Sequence, residues 1–246
     1  MTPLLEICVD TLSGLNAAIT GGADRIELCA ALSEGGLTPS RGLMALAAEA
    51  GLPVRAMIRP RAGDFTYSGD ELAVMRADIA TAAEAGLAGV VFGANQADGS
   101  LDLAALEDLI RQAQDFGLET ALHRSFDLTP DLSVTLDAAI ALGFDTVLTS
   151  GGAASAPEGL AKLQALAAQA SGRIEILAGG GVRADSADGL LKAGLFALHA
   201  ACRAPLPPRR DRAAELGYVT HGLRDTDAAQ VRLLRDRINL LIGEIA

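Results

Sequence analysis

The sequence predicts an α/β fold, a single (β/α)8 barrel spanning residues 1–246. Three observations predict it. Eight short apolar segments recur along the chain, and all but the first follow a glycine that closes a helix-like stretch. The segments between them carry apolar residues at helical spacing. Eight strands alternating with helices over about 250 residues match a closed parallel barrel. An open doubly wound sheet would carry a glycine fingerprint near its N-terminus, and none is present.

In order, the predicted strands open with Leu5–Val9. Gly22 then precedes Arg25–Leu28, and Gly51 precedes Val54–Ile58. Gly86, Gly117 and Gly143 precede Ala88–Phe92, Leu118–Leu122 and Phe144–Leu148. Gly172 and Gly194 precede Arg173–Leu177 and Leu195–His199. A helix over Ser68–Ala85 places Leu72, Met75 and Ile79 on one face, and Ser68-Gly69-Asp70-Glu71 reads as its capping box. Asp102–Phe116 carries Leu103, Leu106, Leu109 and Ala113 in the same way. Asp131–Leu142, Pro157–Ala170 and Ala184–Ala193 are richer in alanine, and Thr226–Ile242 forms the last helix. The irregular segment is Arg203–Asp225, with prolines at 205, 207 and 208 and four arginines between 203 and 212. Its length predicts a mobile lid over the barrel mouth, or a contact with a second subunit of a homo-oligomer.

Composition narrows the function. A net charge of −11 argues against non-specific nucleic-acid binding. No stretch approaches the ~18 apolar residues of a membrane helix, and Met1-Thr2-Pro3-Leu4-Leu5-Glu6 lacks the features of a signal peptide. A cytoplasmic protein is expected. Cys8, Cys29 and Cys202 are too few and too odd in number for a disulfide framework, so free thiols are expected.

Barrel chemistry sits at the C-terminal ends of the strands. Those ends supply Glu6 and Cys8, Glu27 and Cys29, Arg59 and Arg61, His123 and Arg124 with Asp127 beyond, and His199. Alternation puts Glu6 with Cys8, Glu27 with Cys29, Arg55 with Met57 and Arg59, and Glu119 with His123 on common sides. If these face inward, the lumen is polar, and Glu6 and Glu27 can be neutralised by Arg55 and Arg59 in buried salt bridges.

Two glycine-rich turns, Ser150-Gly151-Gly152 and Gly179-Gly180-Gly181, expose backbone N–H groups just before helices. With Arg59, Arg61 and Arg124 they predict a seat for a small anion, phosphate or carboxylate. His123 could then move a proton, with Glu6 or Glu27 as counterpart. That pattern describes an isomerase, epimerase or lyase. Separately, Leu5-Glu6-Ile7-Cys8 and Ile26-Glu27-Leu28-Cys29 echo each other on neighbouring strands. Two soft thiolates brought together there would select Cu(I) or Zn.

Several of these stretches together carry a resemblance. Gly22-Ala23-Asp24-Arg25-Ile26-Glu27-Leu28-Cys29, Gly35-Gly36-Leu37-Thr38-Pro39-Ser40, Ile58-Arg59-Pro60-Arg61 with Gly63-Asp64-Phe65, His123-Arg124-Ser125-Phe126-Asp127 and Leu148-Thr149-Ser150-Gly151 resemble the CutC family, named for copper homeostasis. The similarity runs from about Leu4 to His199. It implies a TIM barrel, a mainly cytosolic location, and Cu(I) bound or trafficked through cysteines at the positions of Cys8 and Cys29. The chain departs from the family pattern at Ser125, where alanine is usual. It departs again at His199-Ala200-Ala201-Cys202, where a His-x-Ser-like end is usual, so Cys202 is not expected to join the thiols.

Overall fold

The computed structural model describes residues 3–207, 212–217 and 222–245. It contains a closed parallel barrel with strands in sequence order. The strands are β1 (Leu4–Val9), β2 (Arg25–Leu28), β3 (Val54–Met57), β4 (Gly89–Phe92), β5 (Glu119–Leu122), β6 (Thr146–Thr149), β7 (Glu175–Ala178) and β8 (Ala197–Ala200). Helices α1 (Leu12–Gly21), α2 (Arg41–Ala47), α3 (Gly69–Glu84), α4 (Leu103–Asp115), α5 (Leu132–Leu142), α6 (Leu160–Ala170) and α7 (Ala184–Lys192) cover its outside. No helix among the described residues is long and apolar enough to cross a membrane.

Several strands start later than their apolar runs predict. The residue after the glycine belongs to the preceding helix. In α5, Gly143 is left-handed at φ 87°, and the Phe144 N–H donates back to the Ala139 carbonyl at 3.2 Å. Leu87, Leu118 and Leu195 close α3, α4 and α7 through the same backward bond. Each of these apolar residues is buried as the hydrophobic lock of a helix cap. Its N–H is therefore not available to the ladder. At the other end of α3 the expected capping box forms, with Ser68 Oγ accepting from the Glu71 N–H and Glu71 accepting from the Ser68 N–H.

The ring closes where β1 pairs with β8, in the register Glu6↔His199. Outside this seam, α9 (Ala228–Ile245) packs between α1 and α7 through buried Val231, Leu234 and Ile238. Gly21 permits the approach, because a Cβ there would meet the Val231 Cβ at 2.4 Å. The segment before α9 is not irregular at its two ends. β9 (Arg203–Pro205) pairs antiparallel with β10 (Arg224–Thr226). Asp225 accepts from Ser13 Oγ at 2.7 Å and from Thr11 Oγ1 at 3.0 Å, which ties the ribbon to the start of α1. A short helix, α8 (Arg212–Glu215), lies between the two strands. Pro208, Arg209 and Arg210, part of the expected lid, lie outside the described residues.

Outward strand residues such as Ile7, Ile26, Ala56, Phe92 and Leu198 belong to the main apolar core. The inside of the barrel divides differently. Cys29, Met57, Val91 and Ala121 form one small apolar cluster, and Leu148, Leu177 and Ala197 form another. Beneath them lies the polar lumen that strand alternation predicts. Glu6 is ion-paired with Arg25, and Arg25 Nη2 reaches Glu175 Oε1 at 2.7 Å. Arg55 holds Glu119 at 2.7 Å and donates to Thr146 Oγ1 at 3.0 Å. The expected partnership of Glu6 and Glu27 with Arg55 and Arg59 is met in part, by Arg55 with Glu6, and is otherwise corrected. Arg25 sits directly across from Glu6 in the ladder, whereas Arg55 comes only to 4.0 Å. Arg59 turns outward to the loops.

Removing one member of a buried ion pair leaves an uncompensated charge. Arg25→Met, which strips Glu6 and Glu175 together, is expected to cost about 3–5 kcal/mol, read as a lowered urea midpoint. Lys162→Met on the outer surface serves as the neutral control.

Candidate functional site

The mouth at the C-terminal ends of the strands opens into a cavity of about 710 Å³. Cys8, Glu27 and His199 stand on its floor, Arg59, Phe65 and His123 on one wall, and Gly180 and Gly181 on the other. β9 and β10 bring Arg203 and Arg224 to its rim.

The floor follows from the seam. β1 lies between β2 and β8, and its register sets Cys8 opposite Glu27 and Glu6 opposite His199. One donor atom from each of Cys8, Glu27 and His199 falls within 4.8 Å of the other two. All three residues are buried. Glu6, 1% exposed, accepts from His199 Nδ1 at 2.8 Å. This orients the ring and turns Nε2 toward Glu27 Oε2, 3.8 Å away. Glu27 Oε1 is buried and has no hydrogen-bond partner among the described residues.

Charge on this floor is strongly biased. Burial pushes the Glu6 carboxyl up, but the hydrogen bond from His199 and the charges of Arg25, His199 and Arg55 outweigh it and hold it at about 2. Burial works against the His199 imidazolium, yet attraction to Cys8 and Glu27 and hydrogen bonds to Cys8 and Glu6 hold it well above the ordinary histidine range. Burial raises Glu27, with His199 opposing the rise and Glu6 adding to it. The floor therefore holds an ionised carboxylate, an imidazolium and a carboxyl group that protonates easily.

Cys29 does not join this trio. It lies two residues beyond Glu27, just past β2, and its sulfur lies 3.0 Å from where a Gly36 Cβ would stand. Burial, then the neighbouring Glu27, pushes its thiol well up, and that thiol donates to Glu27 Oε2 at 3.6 Å. The sequence echo suggested two facing sulfurs, but Cys8 faces a carboxylate. Cys202 lines the mouth, and burial pushes its thiol up to about 12.

The anion seats divide. The turn after β6 does bind an anion, but the anion is Asp127. Its carboxylate accepts from Thr149 Oγ1, from Ser150 Oγ at 3.0 Å, and from the Ser150 and Gly152 N–H groups at 3.0 Å each. The Gly151 N–H donates to Thr149 Oγ1 at 2.8 Å. Arg124 Nε joins at 2.8 Å, and its Nη2 takes Ser150 Oγ at 2.7 Å. Ser150 and Gly151 are therefore saturated from within, and Arg124 is neutralised while still edging the mouth.

After β7, the Gly179 N–H is used by the Thr149 carbonyl at 2.9 Å. Those of Gly180 and Gly181 have no acceptor among the described residues. Both glycines are left-handed, at φ 96° and 72°. They present adjacent N–H groups ahead of α7, with Arg124 beside Gly180. Arg61 leaves the mouth altogether. Asp64 holds its Nη2 at 2.9 Å, Glu71 holds its Nε, and Tyr67 lies beneath it at 5.3 Å. The capping acid Glu71 thus captures the second arginine of Arg59-Pro60-Arg61.

His123 and Arg59 remain on the wall. His123 caps the turn Arg124–Leu128 by accepting from the Ser125 N–H at Nδ1. Burial, then the nearby Arg59 charge, lowers its pKa to about 3, so the ring is neutral. Asp127 was readable only as an acid just beyond His123-Arg124. Its role depends on a turn more than twenty residues away and had no local signal.

The model of the CutC family matches residues 3–204. A CutC family protein of Agrobacterium fabrum (strain C58) is 55% identical over 234 residues, covering 94% of this chain and 92% of the relative. One from Sinorhizobium medicae is 50% identical over 242 residues, 98% of each chain. A solved structure from Streptococcus agalactiae, provisionally named as the copper homeostasis protein CutC, superposes with a TM-score of 0.77 at 34% identity. It covers 81% of this chain and 99% of its own.

The Asp127 network predicts a clear variant. Asp127→Ala leaves Ser150, Gly152 and Arg124 without their shared acceptor, and should cost about 3 kcal/mol or more in denaturant unfolding. Amide exchange at Ser150 and Gly152 should rise first.

Proposed function

The chain belongs to the CutC family, and we propose that it binds Cu(I) as cargo in the cytosol through the Cys8 sulfur and His199 Nε2, with Glu27 beside them. The observation that carries this reading is the convergence of three buried donors, one each from Cys8, Glu27 and His199, within 4.8 Å. The donors suit a metal. A thiolate and an imidazole are the ligands Cu(I) favours. The unpartnered Glu27 Oε1 is a buried acceptor in want of a cation. Glu6 orients His199 from behind, as carboxylates commonly orient metal-binding histidines. The copper homeostasis name of the Streptococcus agalactiae relative agrees with this assignment.

A second reading rests on the cavity. A bound ion needs far less than 710 Å³, which is the size of a small-molecule site. The free N–H groups of Gly180 and Gly181 favour an anion there. Under this reading the barrel is an isomerase, epimerase or lyase acting on a small phosphate- or carboxylate-bearing substrate. Phosphate in excess should then raise the melting temperature of the wild type.

For copper, an anaerobic competition titration is the measurement. Cys8→Ser is expected to weaken Cu(I) binding at least about a hundredfold, by loss of the thiolate. Cys29→Ser should change it by no more than about threefold, because its thiol lies outside the trio. Equal affinity in wild type and Cys8→Ser removes the proposal. The ion must also displace the proton that His199 holds. Since that pKa is raised, displacing the His199 proton alone should make apparent Cu(I) affinity climb by at least about tenfold per unit as pH rises through the neutral range.

A further inference from the structure

Arg59 is 6% exposed, and no carboxylate pairs with it among the described residues. Its Nη1 donates to the carbonyls of Glu34 at 2.7 Å and Gly36 at 3.0 Å, and its Nη2 to that of Gly63 at 2.8 Å. Neutral carbonyls orient a guanidinium but do not cancel its charge. Buried charges are ordinarily paired. Its Nε–H is buried and has no acceptor among the described residues.

Phe65 lies against both Arg59 and His123. The Phe65 ring lies 5.0 Å from the guanidinium carbon and 4.7 Å from the His123 ring centre. The tautomer of His123 follows from its neighbour. A backbone N–H can only donate, so Nδ1, which takes the Ser125 N–H at 3.2 Å, is the acceptor. In the neutral ring the proton is then on Nε2. That Nε2–H is likewise buried without an acceptor among the described residues, in a residue 4% exposed. Arg59, Phe65 and His123 all border the mouth cavity. One wall thus combines an unneutralised cation with two donors that meet no acceptor among the described residues.

We propose that Arg59 and the Nε2–H of His123 form a carboxylate-binding subsite of the barrel mouth, which would take a small organic acid. This rests on the second reading above and names its ligand class as a carboxylate rather than a phosphate monoester alone. The neutral imidazole holds an oxygen of the ligand as a hydrogen-bond donor, without accepting a proton from it. The subsite is separate from the Gly180–Gly181 turn, which remains free for a second anionic group.

The test uses the whole chain with pyruvate and inorganic phosphate as probes. Two-bond 1H–15N spectra of the histidines should show His123 as the Nε2–H tautomer, and pyruvate should shift Nε2 while leaving Nδ1 in place. His123→Asn keeps an acceptor for the Ser125 N–H, so the turn should survive, but it withdraws the donor. It is expected to weaken pyruvate binding about tenfold or more and phosphate binding less than twofold. Equal pyruvate affinity in wild type and variant overturns the subsite, as does an Nδ1–H tautomer. Phosphate binding with no pyruvate binding overturns the subsite and leaves the second reading standing. Binding of neither probe overturns both. Should His123→Asn unfold, the wild-type tautomer and the pyruvate shift decide alone.

Discussion

The Glu6 carboxylate is the group on which the interior depends. It is almost fully buried and held ionised, and its two oxygens face different neighbours. One binds Arg25 and lies near Arg55, so it ties the carboxylate into the charged lower lumen. The other holds His199 at the mouth. A buried ion is tolerated only when its hydrogen-bonding capacity is filled. Here the groups that fill it also set the orientation and charge of the histidine above. The polar lumen is therefore continuous with the site, and the floor geometry cannot be separated from the structural ion pairs beneath it.

The architecture was legible because each βα unit repeats one local grammar of glycine stop, apolar strand and amphipathic helix. The strand starts were less so, since Phe144 and its equivalents are apolar for the sake of the helix cap. At the site, strand alternation grouped Glu6 with Cys8 and Glu119 with His123 and made a polar lumen conditional on their facing inward; Glu6, Cys8, Glu27 and His123 are buried. What alternation cannot supply is register. One residue pair of offset decides whether Cys8 meets Cys29 or Glu27, and that offset is set by the stagger of the closed barrel. Arg25 was passed over for a related reason. It stands at the first residue of its strand, yet it faces Glu6 directly.

Two charged loops illustrate opposite solutions to one problem. After β6, backbone N–H groups and an arginine gather around Asp127, so the chain supplies its own anion and the turn becomes rigid structure. Beside β3, Arg61 is likewise satisfied by Asp64 and Glu71. Arg59, two residues earlier, receives only carbonyl oxygens among the described residues. On a protein of net charge −11, carboxylates are abundant. An arginine left without one is thus more informative than the clusters of basic residues that first draw the eye.

The seam between β1 and β8 carries a consequence for biogenesis. Cys8 and Glu27 leave the ribosome early, whereas His199 follows some 170 residues later and joins them only when the first and last strands pair. Contacts of such sequence separation form late in folding. A nascent or truncated chain therefore has the thiol and the carboxylate without the imidazole, and no fragment that stops short of β8 can assemble the floor. The three-residue floor arrives together with ring closure, so its assembly reports on the completeness of the fold that carries it.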